Sequence, residues 1–232
     1  MITVYPYEQL GQADHGWLNA RHHFSFGGYR NPKRTGFGAL LVINDDVIQA
    51  GTGFDTHPHQ DMEIITYVRK GAITHRDNKG NEGRTVAGDV QVMSAGTGIF
   101  HSEYNLESED TNIYQIWILP NKSGVKPVWD AESFPTEPAT DALTLLVSGD
   151  GKAPLSIHQN AHIYAGRLAV GTTFPHPIHQ QAYLLVSKGE LEIDGKTVKK
   201  GDGVEISGQA SITLHALTDC EVLVIDVPGN DQ

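Results

Sequence analysis

Two short segments hold most of the side chains able to do chemistry. The first reads Gly51-Thr-Gly-Phe-Asp-Thr-His57-Pro-His59-Gln-Asp-Met-Glu63, and the second Gly96-Thr-Gly-Ile-Phe-His101-Ser-Glu103-Tyr-Asn105. Side chains alternate along a strand, so His57, His59 and Glu63 share one face, and His101 shares one with Glu103. Five candidate ligands on two strands are thereby expected to converge inside one barrel. Imidazole with carboxylate is a donor set of intermediate softness that suits Fe(II), Mn, Co, Ni, Cu or Zn, and the order of affinities does not choose among them. The missing thiolates and the surplus carboxylates favour an open catalytic site over a closed structural one. The Gly96-Thr-Gly98 turn is expected to bend the chain so that His101 enters the cavity, as bulges do beside active sites.

The elements that must position these residues are short strands. Stretches rich in Val, Ile, Leu and Tyr occur at 39–43, 62–68, 90–93, 114–119, 143–147, 183–186, 190–193 and 221–227. Glycine, Asn and Asp bound them, as at Asp77-Asn-Lys-Gly80 and Lys200-Gly-Asp-Gly203. No stretch sustains a 3.6-residue apolar period, so helices should be few and short and the fold an all-β sandwich or barrel. The pattern strand–Gly–strand–turn–strand–Gly-Asp–strand occurs around Gly71 and again around Gly189, offset by ~115 residues, which predicts two tandem β domains. Their expected bounds are 1–125 and 141–232. The stretch between Pro120 and Pro138, rich in proline and charge, is read as the connection, with 126–140 as the linker proper.

Composition narrows the function. The 17 Lys+Arg against 28 Asp+Glu give a formal charge of −11, and no basic run offers phosphate contacts, so nucleic acid is excluded as a direct partner. No apolar run nears a membrane span and no signal segment leads the chain, so a cytoplasmic protein is expected. One cysteine, Cys220, rules out an internal disulfide or a thiolate cluster. It should be a small buried thiol in the last strand. The sequon at Asn121 is then idle. Nothing requires more than a monomer.

Gly51-(x)5-His57-x-His59-(x)3-Glu63-(x)7-Gly71 resembles the first cupin motif, with one extra residue before the last glycine. Gly88-(x)5-Ser94-x-Gly96-(x)4-His101-(x)3-Asn105 resembles the second, with Ser in place of Pro and two residues inserted before the His. These departures, with His15-Gly-Trp-Leu18, His23-Phe-Ser-Phe26 and Ile43-Asn-Asp-Asp46, resemble the pirin branch of the two-cupin proteins. The resemblance implies two tandem jelly-roll-like cupin β-barrels with few short helices. It also implies one divalent transition metal in the N-terminal cupin, Fe(II) favoured, held by His57, His59, His101 and Glu103. Glu63 would then act from outside, orienting an imidazole through its other nitrogen. In the C-terminal half His176-Pro-Ile-His179 has the wrong spacing for one strand face, and no second metal site is expected. His22, His23, His75, His158, His162 and His215 receive structural or surface readings.

The family's bacterial members look like quercetin 2,3-dioxygenases. On that resemblance the chain is a metal-dependent dioxygenase acting on a flat aromatic substrate and O2, opening a flavonol with release of carbon monoxide. Glu103 would be its catalytic proton acceptor, and Phe54, Met62, Met93, Phe100 and Ile116 would line the cavity. The alternative is a metal- or redox-sensing regulatory module that acts on a protein partner.

Overall fold

A computed structural model of the chain describes residues 1–134 and 136–229, so Pro135 of the expected linker lies outside the described residues. Strands dominate, and the one helical element among the described residues is a 3-10 turn at Tyr7–Gln9. No helix among them is long and apolar enough to cross a membrane. In chain order the first strands are β1 (Ile2–Tyr5), β2 (Gly11–Asp14), β3 (Leu18–His22), β4 (Leu40–Ile48), β5 (Gly53–His59) and β6 (Glu63–Lys70). Next come β7 (Ala72–Asp77), β8 (Glu82–Val86), β9 (Val90–Ser94), β10 (Ile99–Tyr104), β11 (Thr111–Ile118) and β12 (Val128–Glu132). The remainder are β13 (Thr144–Ser148), β14 (Leu155–Ser156), β15 (His162–Leu168), β16 (Thr173–Pro177), β17 (Gln181–Lys188), β18 (Glu190–Ile193), β19 (Lys196–Lys199), β20 (Gly203–Ile206), β21 (Ser211–Ala216) and β22 (Cys220–Val227).

Two compact units result. Residues 11–134 with 154–159 form one, and 1–10, 136–153 and 160–229 the other. In the first, a sheet in the order β12-β9-β6-β11-β4-β3-β2 faces a smaller one in the order β5-β10-β7-β8. In the second, β1-β20-β17-β22-β15-β13 faces β16-β21-β18-β19. The orders correspond strand for strand (β5, β10, β7, β8 with β16, β21, β18, β19), which is the expected repeat. In each unit the two sheets sandwich a core without hydrogen-bonded closure into a continuous barrel.

The expected boundaries need two corrections. Val128–Glu132, assigned to the linker, is a strand paired with β9 from Val128↔Ser94 to Glu132↔Val90. Ile2–Tyr5, assigned to the N-terminal domain, pairs with β20 of the other unit. Both are edge strands recruited from outside the repeat, one beside β9 and one beside β20. Edge pairing rests on backbone hydrogen bonds and leaves little trace in side-chain pattern.

The two cores differ where the repeat puts chemistry in one of them. On β16 and β21 the inward positions are Phe174, His176, Ile212 and Leu214, all buried, and Phe174, Ile212 and Leu214 belong to a large apolar cluster. The matching strands β5 and β10 carry His57, His59, His101 and Glu103. Leu214, fully buried opposite Phe174, fills with hydrocarbon the space that polar groups take in the first unit. Leu214→Ala should therefore cost about 2–5 kcal/mol of stability. Urea unfolding reads that loss, and metal content should stay at the wild-type level. Cys220 is buried in the first residue of β22, and burial pushes its thiol up to about 11, as a packed and unreactive group requires.

Candidate metal centre

β5 and β10 run antiparallel with His101 opposite His57 and Ile99 opposite His59. The pairing then slips, so that Glu103 stands opposite Phe54. β5 therefore carries one extra residue between Phe54 and His57, a bulge that turns both side chains to the same face. This is where the bend occurs. The Gly96-Thr-Gly98 segment, expected to supply it, is instead the turn joining β9 to β10. Gly96 adopts φ 46° there, with Val125 carbonyl so close that no Cβ would fit.

The three imidazoles meet. Their ligand atoms all lie within 4.8 Å of one another, and the ring centroids are 4.5 Å apart for His57–His101, 4.8 Å for His57–His59 and 5.0 Å for His59–His101. His57 Nδ1 donates to the Asp55 carbonyl at 2.7 Å, leaving Nε2 with a free lone pair. His101 is 2% exposed, and its buried Nε2 has no hydrogen-bond partner. An orphaned buried imidazole nitrogen costs free energy unless something binds it. Burial, then the neighbouring imidazoles, push His101 down to about 3 and His59 down to about 4. Both rings are thus neutral at physiological pH, the form that ligates. Three converging imidazoles, one with an orphaned lone pair, fit a divalent transition metal and give a hard cation such as Mg no oxygen cage.

Glu103 shares the inward face of β10 with His101 but stands outside the 4.8 Å group. Its Oε1 accepts from Gln91 Nε2 at 2.7 Å and from Thr66 Oγ1 at 3.1 Å, and its Oε2 accepts from Gln115 Nε2 at 2.7 Å. All three donors come from the facing sheet, on β9, β6 and β11. Beside them Asp46 is buried, and desolvation, followed by the charges of Asp45 and Glu103, holds its carboxyl well above the usual carboxylate range. The site thus places a buried acid whose proton is held more tightly than usual next to an anchored carboxylate. Asp46 lay in the Ile43-Asn-Asp-Asp46 motif, but nothing in the sequence pointed it inward.

Glu63 departs from expectation. Asp61, at φ 45°, turns the chain between β5 and β6, so Glu63 opens a strand of the opposite sheet and loses its shared face with His57 and His59. Its carboxylate accepts from Ser94 Oγ at 2.6 Å and lies 3.3 Å from His158 Nδ1, away from the three imidazoles. Burial, only partly offset by these neighbours, raises its pKa. The nitrogen of a clustered imidazole is met instead by His75, whose Nδ1 lies 3.3 Å from His101 Nδ1. The structural reading of His75 is thereby corrected to one at the site.

The apolar walls also shift. Phe54 packs edge-on against Trp17 at 5.2 Å and 6.4 Å from His57, and Met62 and Met93 join a cluster with Trp117 and Trp129. Phe100 points out, 50% exposed, because it alternates with His101. Ile116 alternates with Gln115 and so faces the other side of its sheet. Their places go to Trp117, 4.9 Å from His59, and to Phe26, 5.4 Å from Trp117. In the C-terminal unit His176 is buried on β16, while His179 lies beyond that strand with its Nε2 3.3 Å from the Tyr164 hydroxyl.

Known proteins share this two-domain fold. The pirin family model matches residues 4–118, and the model of the quercetinase C-terminal cupin domain matches residues 145–227. A pirin-like protein of Caulobacter vibrioides is 49% identical over 97% of this chain and 99% of its own length. The quercetin 2,3-dioxygenase of Escherichia coli K12 is 43% identical over 98% of this chain and 99% of its own. The crystal structure of the Escherichia coli bacterial pirin YhhW in complex with nickel(II) superposes with a TM-score of 0.92 at 42% identity, covering 99% of this chain and all of that one.

Proposed function

The chain belongs to the pirin family of two-cupin proteins, and from that premise we propose that it is a quercetin 2,3-dioxygenase-like enzyme. Its reaction would open a flavonol with O2 and release carbon monoxide. The observation that carries this reading is the buried, partnerless Nε2 of His101, held among two further imidazoles and beside an anchored carboxylate. His57, His59 and His101 would hold one divalent transition metal through three nitrogens, with Glu103 as the fourth donor. Iron(II) is the ion favoured by the family resemblance, and nickel(II) is the ion in the related bacterial pirin structure. Bound there, such a cation lowers the pKa of a coordinated enolic hydroxyl and opens the site to dioxygen chemistry.

The remaining work falls to the protein. Glu103 accepts the substrate hydroxyl proton on a carboxylate oxygen. Its amide and hydroxyl donors fill three lone-pair positions and leave one, which takes that proton when the carboxylate is off the metal. Trp117 and Phe54 are half-buried beside the imidazoles, Phe26 is half-buried against Trp117, and the three offer flat apolar faces to an aromatic ring. The test is turnover. Protein loaded in turn with Fe, Ni, Co, Mn and Cu is incubated with quercetin under O2, flavonol absorbance is followed, and carbon monoxide is trapped on reduced haem. Loss of quercetin with matching carbon monoxide is expected for at least one metal. No loss with any of the five, at one metal per chain, would overturn the flavonol reading and point to the sensing module.

A further inference from the structure

Two residues that no ligand set includes determine which nitrogen of His101 is free. We infer that Asp77 and His75 form a hydrogen-bonded relay that fixes the His101 tautomer and aims its Nε2 lone pair at the metal position. The inference rests on the reading of His101 as a ligand, but its geometry stands by itself.

The chain of atoms begins at Asp77, whose side chain is fully buried. Its Oδ1 accepts from the backbone N–H of Lys79 at 2.8 Å and of Asn81 at 3.1 Å, and its Oδ2 accepts from Asn81 Nδ2 at 2.8 Å. Those donors hold the carboxylate in one orientation. Its Oδ2 lies 2.9 Å from His75 Nε2. A carboxylate accepts and does not donate, so His75 must carry its proton on Nε2. In the neutral ring Nδ1 is then an acceptor, and it faces His101 Nδ1 at 3.3 Å. His101 must therefore donate from Nδ1, which leaves the bare lone pair on Nε2. That is the atom buried without a partner. One fixed carboxylate thus dictates three successive proton positions.

The surroundings hold the relay still. Trp129 stacks on His75 with centroids 4.9 Å apart and planes within 9°. Room for that ring comes from Gly83, which pairs with His75 across β7 and β8 and where a Cβ would fall 2.1 Å from Trp129. Register places Asp77 opposite His101 and His75 opposite Glu103, so the β7 pair spans the two inward residues of β10. Ligand imidazoles that donate their other N–H to an oriented acceptor bind metal more tightly, and loss of that partner typically costs ~10–100-fold in affinity.

The proton positions can be read in metal-free protein. Histidine nitrogen-15 shifts separate protonated from bare ring nitrogens, so full-length labelled protein at neutral pH should show His75 protonated at Nε2 and His101 at Nδ1. In Asp77→Asn, the carboxamide oxygen keeps the backbone turn and its NH2 faces His75, with the Asn81 amide turned to present its oxygen to that NH2. His75 must then accept at Nε2 and donate from Nδ1, which forces His101 to carry its proton on Nε2. Both tautomers should invert, and nickel(II) affinity by competition titration should fall by ~10–100-fold. His75 found protonated at Nδ1 in the wild type, or Asp77→Asn binding nickel as tightly as the wild type, would overturn the relay. Loss of flavonol turnover would bear only on the enzymatic reading, because neither measurement uses substrate.

Discussion

His101→Ala protein should fold normally and emerge from purification without metal. His101 is the most buried of the three imidazoles, the only one on β10, and the one whose ligand nitrogen is buried without a partner. Without it two imidazoles remain, both from β5, and β10 offers only the Glu103 carboxylate. The affinity loss should exceed the ~10–100-fold that follows loss of an outer partner, and turnover should fall to background. Stability should not fall as it does in a usual core deletion. Alanine leaves a small void but also removes a desolvated nitrogen without a hydrogen bond, and these terms oppose each other. Metal-free wild type and variant should therefore melt close together. Added nickel(II) should separate them, since an ion that binds only the folded state stabilises it by ~2.7 kcal/mol at 100 times its Kd. Metal stoichiometry by mass spectrometry, with melting curves at several nickel concentrations, tests this. One metal per chain retained in the variant would show that His101 is not a ligand.

How much of this arrangement the sequence made legible follows from the reach of each physical rule. The period of two along a strand correctly grouped His57 with His59 and His101 with Glu103, because each pair lies within one strand and alternation needs no tertiary knowledge. The same rule failed for Glu63. A residue with positive φ, Asp61, ends the strand before it, and a single Asp with no Gly or Asn beside it does not stand out as a turn. The bulge in β5 was invisible because it depends on how two strands pair, not on either alone. His75 and Asp77 were passed over for the same reason. Their roles come from the register of β7 against β10, and an alternating His-x-Asp reads equally well as an ordinary strand. The tandem repeat was legible through its glycine punctuation. The edge strands β1 and β12 were not, since they join their sheets by backbone pairing at long range.

Glu103→Gln is the second large effect, and its size follows from the rigidity of the groups around the carboxylate. Both amides that hold it are locked as donors. Gln91 Oε1 is occupied by the Thr85 hydroxyl at 2.9 Å, and Gln115 Oε1 by the Trp117 indole N–H at 3.3 Å. Neither amide can turn its oxygen toward position 103 without breaking that bond. A glutamine there must aim its NH2 at a donor, leaving buried groups unsatisfied at a cost of about 1–3 kcal/mol. It also lacks the charge to act as a fourth donor and the basicity to take a proton, so kcat should drop by ~10²–10⁴-fold. The two losses can be separated by adding Gln91→Glu to Glu103→Gln. That exchange returns a carboxylate to the network facing an amide, so melting temperature should recover. The carboxylate now stands on β9 instead of beside His101, so turnover should stay low. Recovery of stability without kcat would mark Glu103 as a participant at the metal. Recovery of both would reduce it to an anchor of the wall, and the proton would then need another acceptor.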